Sequence, residues 1–227
     1  LETVDCETMR YALKEERDFR LEADFLQAIT PDVDMVFLCQ PNNPTGLTSS
    51  RELLLHIAAR CRDFGALLVL DECFTDFLDM PEANSMKREL EHFPNLLILK
   101  AFTKLYAMAG VRLGYVMAEP ETIHYLMEAK SATNSHSSML PQVLCAEFFK
   151  RGYYPAHHKM LCDLYRERRD AMIECIDKYF PEGTKHSFPD GGLFTWVELP
   201  GNIDTAELLK ESTSDPEVNV AFVAGEG

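Results

Sequence analysis

The stretch that most constrains this chain runs from Leu96 to Tyr115 and reads LLILKAFTKLYAMAGVRLGY. It opens on a short, bounded apolar run, Leu96-Leu97-Ile98-Leu99. A run of that length reads as a strand buried on both faces, the kind found in parallel sheets. A polar turn with one lysine follows, Ala101-Phe102-Thr103-Lys104, and Arg112 comes eight residues later, between Gly110 and Gly114. Taken alone, Lys104 and Arg112 read as solvated loop cations, because both residue types are mostly exposed. Here they stand together behind a buried strand, and two other segments have the same form.

Met35-Val36-Phe37-Leu38-Cys39 runs into Gln40-Pro41-Asn42-Asn43-Pro44-Thr45-Gly46, and Leu67-Leu68-Val69-Leu70 runs into Asp71-Glu72. Between them, Ser49-Ser50-Arg51-Glu52 has the form of a capping box. It opens a helix with the apolar stripe Leu54, Ile57, Ala58 and Cys61, ended by Gly65. Strand, helix and strand at this spacing make a βαβ unit and a parallel sheet. In an open parallel α/β sheet, ligands bind at the carboxyl ends of the strands. Asn43, Asp71 and Lys104 therefore bring an amide, a carboxylate and an amine to one candidate site.

PNNPTG, then LDECF, then FTK with GVRLGY, in this order, resemble the fold type I pyridoxal-phosphate enzymes, the class I and II aminotransferases. The likeness covers nearly the whole chain. From about Val4 to Tyr115 it is strongest to the threonine-phosphate decarboxylase and histidinol-phosphate aminotransferase branch. From about Glu121 onward, FFKRGYY, LYRERRDAM and PDGGLFTWVELP are more similar to the 2-aminoadipate aminotransferase and MocR-type branch. The resemblance implies an α/β fold: part of a cofactor-binding large domain over 1–155 and part of a small α+β domain over 156–227. It implies amino-group transfer between an amino acid and a 2-oxo acid, with pyridoxal 5'-phosphate as cofactor, in a cytoplasmic biosynthetic homodimer. Its first half favours a second reading, decarboxylation of an O-phospho amino acid. Its second half favours a third, a cofactor-sensing domain of a transcription regulator.

The resemblance also assigns roles. Lys104 would hold the cofactor covalently and then move a proton, and Asp71 would face the ring nitrogen. Glu72 is the poorer choice for that role, because adjacent residues leaving a strand face opposite ways. Asn43 would donate to the phenolic oxygen. Arg112 would grip the phosphate as a fork matched to its oxygens, with Thr103 as a further hydroxyl donor. Gly110 and Gly114 would allow close backbone approach. The chain departs from the family at two places. Phe74 stands where many relatives offer a tyrosine hydroxyl, and Ala101 where they have Ser or Thr.

Composition narrows the partners. A net charge of -15 argues against nucleic acid or an anionic membrane as partner. The 46% hydrophobic content of the 227 residues allows a sizeable core, and no apolar run approaches the roughly 18 residues of a membrane span. No signal peptide is visible. Seven cysteines without CxxC spacing read as reduced thiols, and no metal site is expected. The neighbours His157 and His158 read as surface, and the charges of Arg166 to Asp170 as a solvated face. The resemblance implies further chain beyond Leu1 and Gly227, without which residues 1–227 would not turn over substrate. Expected elements are an extended Thr3–Leu13, a short helix over Leu21–Ile29 and strands over Val111–Met117, Leu193–Val197 and Val218–Val223. Helices are expected over Glu121–Lys150 with a break near Asn134–Ser138, over Pro155–Tyr179, and over Thr205–Ser212.

Overall fold

The three apolar runs become three neighbouring strands in the computed structural model, which describes residues 6–201 and 203–225. β1 (Met35–Cys39), β2 (Leu67–Asp71) and β3 (Leu96–Ala101) run parallel, and β4 (Gly114–Met117) pairs antiparallel with β3. The register sets Cys39 opposite Asp71, and Asp71 opposite Leu99. β1 and β2 therefore end side by side, and β3 runs two residues further to Ala101.

Between β1 and β2 lies α1 (Arg51–Phe64). Ser50 caps it by accepting the Leu53 N–H, and Gly65, at φ +74°, closes it in the left-handed region where only glycine is unstrained. The helix starts one residue later than a capping box on Ser49 requires, so Glu52 lies in the first turn without closing the box. Its apolar stripe, Leu54, Ile57, Ala58 and Cys61, is buried against Val36, Leu68, Leu70, Leu96 and Ile98 of the sheet. Burying each such aliphatic side chain contributes about 1.5–3 kcal/mol, which is what holds the strands in register. β2 is buried on both faces, since Val69 on the far side is also covered. β1 is an edge, and its outward Met35 and Phe37 remain 43% and 49% exposed.

The chain then passes through a short α2 (Pro81–Asn84), β3, β4, α3 (Pro120–Asn134), α4 (Met139–Lys150) and the long α5 (Tyr154–Tyr179). A two-stranded antiparallel ribbon, β5 (Lys185–His186) and β6 (Val197–Glu198), and α6 (Thr205–Ser214) complete it. The expected break over residues 134–138 separates α3 from α4.

Four expectations need correction. The Leu21–Ile29 helix is a 3-10 helix over Ala23–Ala28, pinned by buried Phe25 and Ile29. The strand expected from Val111 starts only at Gly114, because Arg112 adopts a left-handed conformation, φ +51°, after a 3-10 turn over Ala109–Val111. Of Leu193–Val197 only Val197 joins a strand, since Gly191 and Gly192 wrap the chain against Leu78 and Phe74. Val218–Val223 is no strand. The Val218 and Asn219 N–H groups bond the Asp215 carbonyl and that of Val220 bonds Ser212, so this segment folds back onto the end of α6. Residues 3–5 of the expected extended stretch lie outside the described residues, and residues 6–13 have no regular structure.

Gly114 is where β4 meets β3. A Cβ there would sit 2.8 Å from the Lys100 carbonyl oxygen, whereas one on Gly110 meets nothing within 4 Å. So the close approach expected of both glycines holds for Gly114 alone, and it is made to β3. Gly114→Ala is expected to destabilise the protein by about 1–3 kcal/mol through overpacking. Gly110→Ala should stay within about 0.5 kcal/mol of the parent. Urea unfolding of the two variants side by side checks this, and equal midpoints would contradict it.

Candidate active site

The ends of β1, β2 and β3 each deliver one polar side chain. Adjacent strands lie about 4.8 Å apart, so three strand ends span about 10 Å. Bonds from the Gln40 N–H to the Asp71 carbonyl (2.9 Å) and from the Glu72 N–H to the Leu99 carbonyl (3.0 Å) continue the ladder one step past the strands. They align the starts of three loops, which carry Asn43, Asp71 and Lys104.

In the first loop the Asn42 side chain donates to Thr45 Oγ1 (2.8 Å), and the Gly46 N–H donates to the Asn42 carbonyl (2.8 Å). Gln40 is buried and makes a two-way contact with Ser49, accepting its N–H at 2.9 Å and donating to its carbonyl at 3.0 Å. Asn43 lines a narrow cleft with Pro44, Phe74, Gly192 and Phe194. The rest of the loop is thus tied down around it.

In the second loop Asp71 and Glu72 separate as strand geometry demands. Asp71 Oδ1 accepts the Cys73 N–H at 2.9 Å, and no lysine or arginine pairs with it among the described residues. Glu72 is fully buried and accepts from Ser85 Oγ (2.6 Å) and the Met86 N–H (2.8 Å). Lys100 Nζ lies 3.8 Å from Glu72 and 3.1 Å from Asp76. Burial pushes the Glu72 carboxyl up, against the hydrogen bonds from Ser85 and Met86 and the charge of Lys100. Glu72 therefore anchors the segment beneath the site and does not line it.

The third loop, residues 102–113, carries both cations. Lys104 is exposed and its amine has no partner among the described residues. Arg112 is exposed, donates to the Ala109 carbonyl (3.2 Å), and has no carboxylate partner there either. Lys100, the other lysine nearby, is sequestered: its side chain is 9% exposed between two carboxylates. Thr103 is half-buried beside Lys104. A free amine, a free guanidinium and a carboxylate without a cation fit a covalently held, anionic cofactor with a basic ring nitrogen. The structure thus places Asp71 at the end of β2, Asn43 in the loop that leaves β1, and Lys104 and Arg112 in the loop that leaves β3.

The nearby thiols do not compete with Lys104. Burial pushes the Cys73 thiol up to about 12, with Asp71 adding to it, and burial followed by Asp71 raises Cys39. Both stay protonated at neutral pH and are poor nucleophiles. Tyr106 and Tyr154 stack with ring centres 5.7 Å apart. Burial raises both hydroxyls, that of Tyr154 to about 12, so they too remain neutral.

Several contributors escaped the sequence reading. The PDGGLF turn reaches the first loop across more than a hundred residues. The Asp190 and Gly191 N–H groups donate to the Gly46 carbonyl (2.9 and 3.3 Å), and Asp190 Oδ2 accepts the Thr48 N–H and hydroxyl at 2.8 Å each. Phe74, in the place of the family tyrosine, packs edge-on to Phe194 at 6.2 Å. His157 and His158 are half-buried, which corrects the surface reading. They do point apart, as helix neighbours must, but into two different loops. His157 Nε2 contacts the Leu105 carbonyl at 2.8 Å, and His158 Nε2 contacts the Asp76 carbonyl at 2.7 Å. Arg169 likewise leaves the solvated face, donating to the Pro189 carbonyl (3.1 Å) with its guanidinium over the Phe188 ring at 4.6 Å.

Comparison with known proteins identifies the family. The family "Aminotransferase class I and II" matches residues 1–223. A threonine-phosphate decarboxylase of Salmonella typhimurium is 44% identical over 112 residues, 49% of this chain and 30% of that protein. A 2-aminoadipate transaminase of Thermus thermophilus is 30% identical over 191 residues, 81% of this chain and 46% of that protein. Among solved structures, the α-aminoadipate aminotransferase of Thermus thermophilus, complexed with N-(5'-phosphopyridoxyl)-L-leucine, superposes with a TM-score of 0.76 at 27% identity. That match covers 88% of this chain and 52% of the other. This chain thus spans 30% to 46% of the length of these curated relatives.

Proposed function

The chain belongs to the class I and II aminotransferases, and we propose that it forms the catalytic part of a pyridoxal-phosphate-dependent aminotransferase acting on an amino acid and a 2-oxo acid. The observation that carries this reading is the row of strand ends with Asn43, Asp71 and the unpaired amine of Lys104. The relatives of both branches are enzymes of amino acids and their phosphorylated derivatives. A pyridoxyl-leucine adduct bound in the Thermus thermophilus structure supports the choice of cofactor.

Pyridoxal phosphate, when bound, supplies the electron-accepting ring that stabilises negative charge at an amino acid's α-carbon. The chain supplies the rest. Lys104 would hold the cofactor through its ε-amine and, once that amine is free, would accept the proton from the substrate's α-carbon and return it. Asp71 keeps the ring nitrogen protonated, and the absence of a competing cation leaves its charge available for that. Asn43 donates to the phenolic oxygen without help from residue 74, because Phe74 has no hydroxyl. Arg112 and Thr103 bind phosphate oxygens. The division into a cofactor-binding part over 1–155 and a smaller part over 156–227 belongs to the same reading, supported by the separate β5–β6 ribbon.

The setting follows from surface and composition. Among the described residues all the cysteines are free thiols, which supports a reducing, cytoplasmic location. Among the described residues no helix is long and apolar enough to cross a membrane. α3 buries none of its residues, and Met139, Leu140, Val143 and Leu144 of α4 are more than half exposed. Apolar helix faces of this extent support a second subunit covering them in a homodimer. The net charge of -15 speaks against a nucleic-acid partner.

Two experiments test the reading. Borohydride reduction of the full chain loaded with cofactor, followed by peptide mapping, is expected to label Lys104, and a label on Lys100 or Lys130 overturns the assignment. In the same protein Asp71→Asn should retain cofactor and lose at least about a hundredfold in turnover, roughly 3 kcal/mol. Near-normal turnover in Asp71→Asn, with Glu72→Gln inactive, would reverse the two roles.

The 44% identity to a threonine-phosphate decarboxylase over 112 residues favours a second reading, removal of carbon dioxide from an O-phospho amino acid. The two readings differ in product. Amino acids assayed with 2-oxoglutarate are expected to yield a new amino acid without carbon dioxide. Stoichiometric carbon dioxide from an O-phospho substrate, with no dependence on the oxo acid, selects the decarboxylase.

A further inference from the structure

We propose that His157 is a positioning residue for Lys104, holding the backbone of the loop that presents the amine. The proposal rests on the assignment of Lys104 as the cofactor-binding lysine. Lys104 itself is exposed and its side chain is unpaired, so nothing at the amine fixes where it stands. Its position is set by the backbone on either side.

That backbone has few bonds of its own. The Phe102 N–H donates to the Leu113 carbonyl (3.0 Å) at the base of the loop, and the Ala107 N–H to the Lys104 carbonyl (3.0 Å). The Met108 N–H donates to the Phe102 carbonyl (3.3 Å) and the Val111 N–H to the Met108 carbonyl (3.2 Å), and none of these bonds reaches Leu105. Leu105, the next residue, is 1% exposed. Among the described residues no backbone N–H donates to its carbonyl, and the contact it has is His157 Nε2 at 2.8 Å. A carbonyl only accepts, so Nε2 carries the proton. Both the neutral Nε2–H ring and the imidazolium satisfy this, and the bond survives a change of charge.

The donor is itself held. The His157 ring stands edge to face on Phe148 of α4, with centres 5.4 Å apart and planes at 87°. Its backbone N–H bonds the Tyr153 carbonyl (3.1 Å) in the first turn of α5. The neighbouring His158 Nε2 meets the Asp76 carbonyl at 2.7 Å. Two successive residues of one helix therefore hold the loops that follow β2 and β3, those of Asp71 and Lys104. The start of α5 thus ties the loop that follows β2, at Asp76, to the loop that carries Lys104, at Leu105. Without the His157 bond the Leu105 carbonyl is free to rotate, and Lys104 moves with it.

The test compares His157→Gln, His157→Asn and His157→Leu in the full chain with cofactor. The glutamine amide nitrogen reaches about as far as Nε2, the asparagine nitrogen stops short, and leucine cannot donate. His157→Asn and His157→Leu are expected to lose about 10–100-fold in kcat while KM moves less than about threefold, the mark of a misplaced group. The pH midpoint of the cofactor's visible band should move by about half a unit or more in the same two variants. His157→Gln should restore both readouts to within about threefold in kcat and a few tenths of a pH unit. If His157→Leu does not fold, the Gln and Asn variants decide alone. Equal behaviour of Gln and Asn, or parent-like values in Leu, overturns the proposal. Borohydride mapping of the parent separates the two assignments: a label away from Lys104 overturns the premise, whereas a label on Lys104 with unaffected variants overturns only the role of His157.

Discussion

The structure depends on parallel pairing in register. Cys39, Asp71 and Leu99 stand side by side because apolar residues of β1, β2 and β3 share one buried face against α1. A slip of one residue would turn every buried side chain to the opposite face. The hydrophobic term therefore enforces the register, and the register in turn aligns the points where the chain leaves the sheet. Chemistry collects at that line because parallel strands all end on the same side.

Alignment of strand ends does not hold loops in place, and here polar contacts do it. Thr75 Oγ1 donates to the buried Gln40 carbonyl at 2.5 Å and so ties the second loop to the first. Glu72 gathers Ser85, Met86 and Lys100 below the second loop. Asp190 and Gly191 grip the first loop from the far end of the chain. His157 and His158 do the same for the third and second. Gln40, Glu72, Thr75, His157 and His158 are buried or half-buried, where an unmade bond costs about 1–3 kcal/mol, so their contacts specify geometry as well as adding stability, whereas Asp190 is exposed. Of the residues read as reactive, Lys104 has no side-chain partner among the described residues, and Arg112 has only the Ala109 carbonyl.

The same division explains the two lysines at the end of β3. Lys100 still belongs to the strand, and the pleat turns it toward Glu72 and Asp76, where it is a buried counter-ion. Lys104 lies beyond the strand in the loop and faces solvent. Four residues of chain separate a buried, paired lysine from an exposed, unpaired one.

Much of this was legible in the sequence because it is local. Apolar runs of strand length, the serine cap and glycine stop of α1, and the opposite facing of Asp71 and Glu72 follow from short-range sterics and burial periodicity, and the structure has them. The strands expected over Leu193–Val197 and Val218–Val223 were misread for the same reason. A β-branched pattern is a strand only when another strand is there to pair with it, and pairing is not local. Tertiary structure alone decided that His157 and His158 face inward, that Arg169 reaches Pro189, and that Asp190 and Gly191 meet Gly46. Those contacts join residues far apart in the chain through single hydrogen bonds, which impose no periodicity on the sequence and leave nothing in it to read.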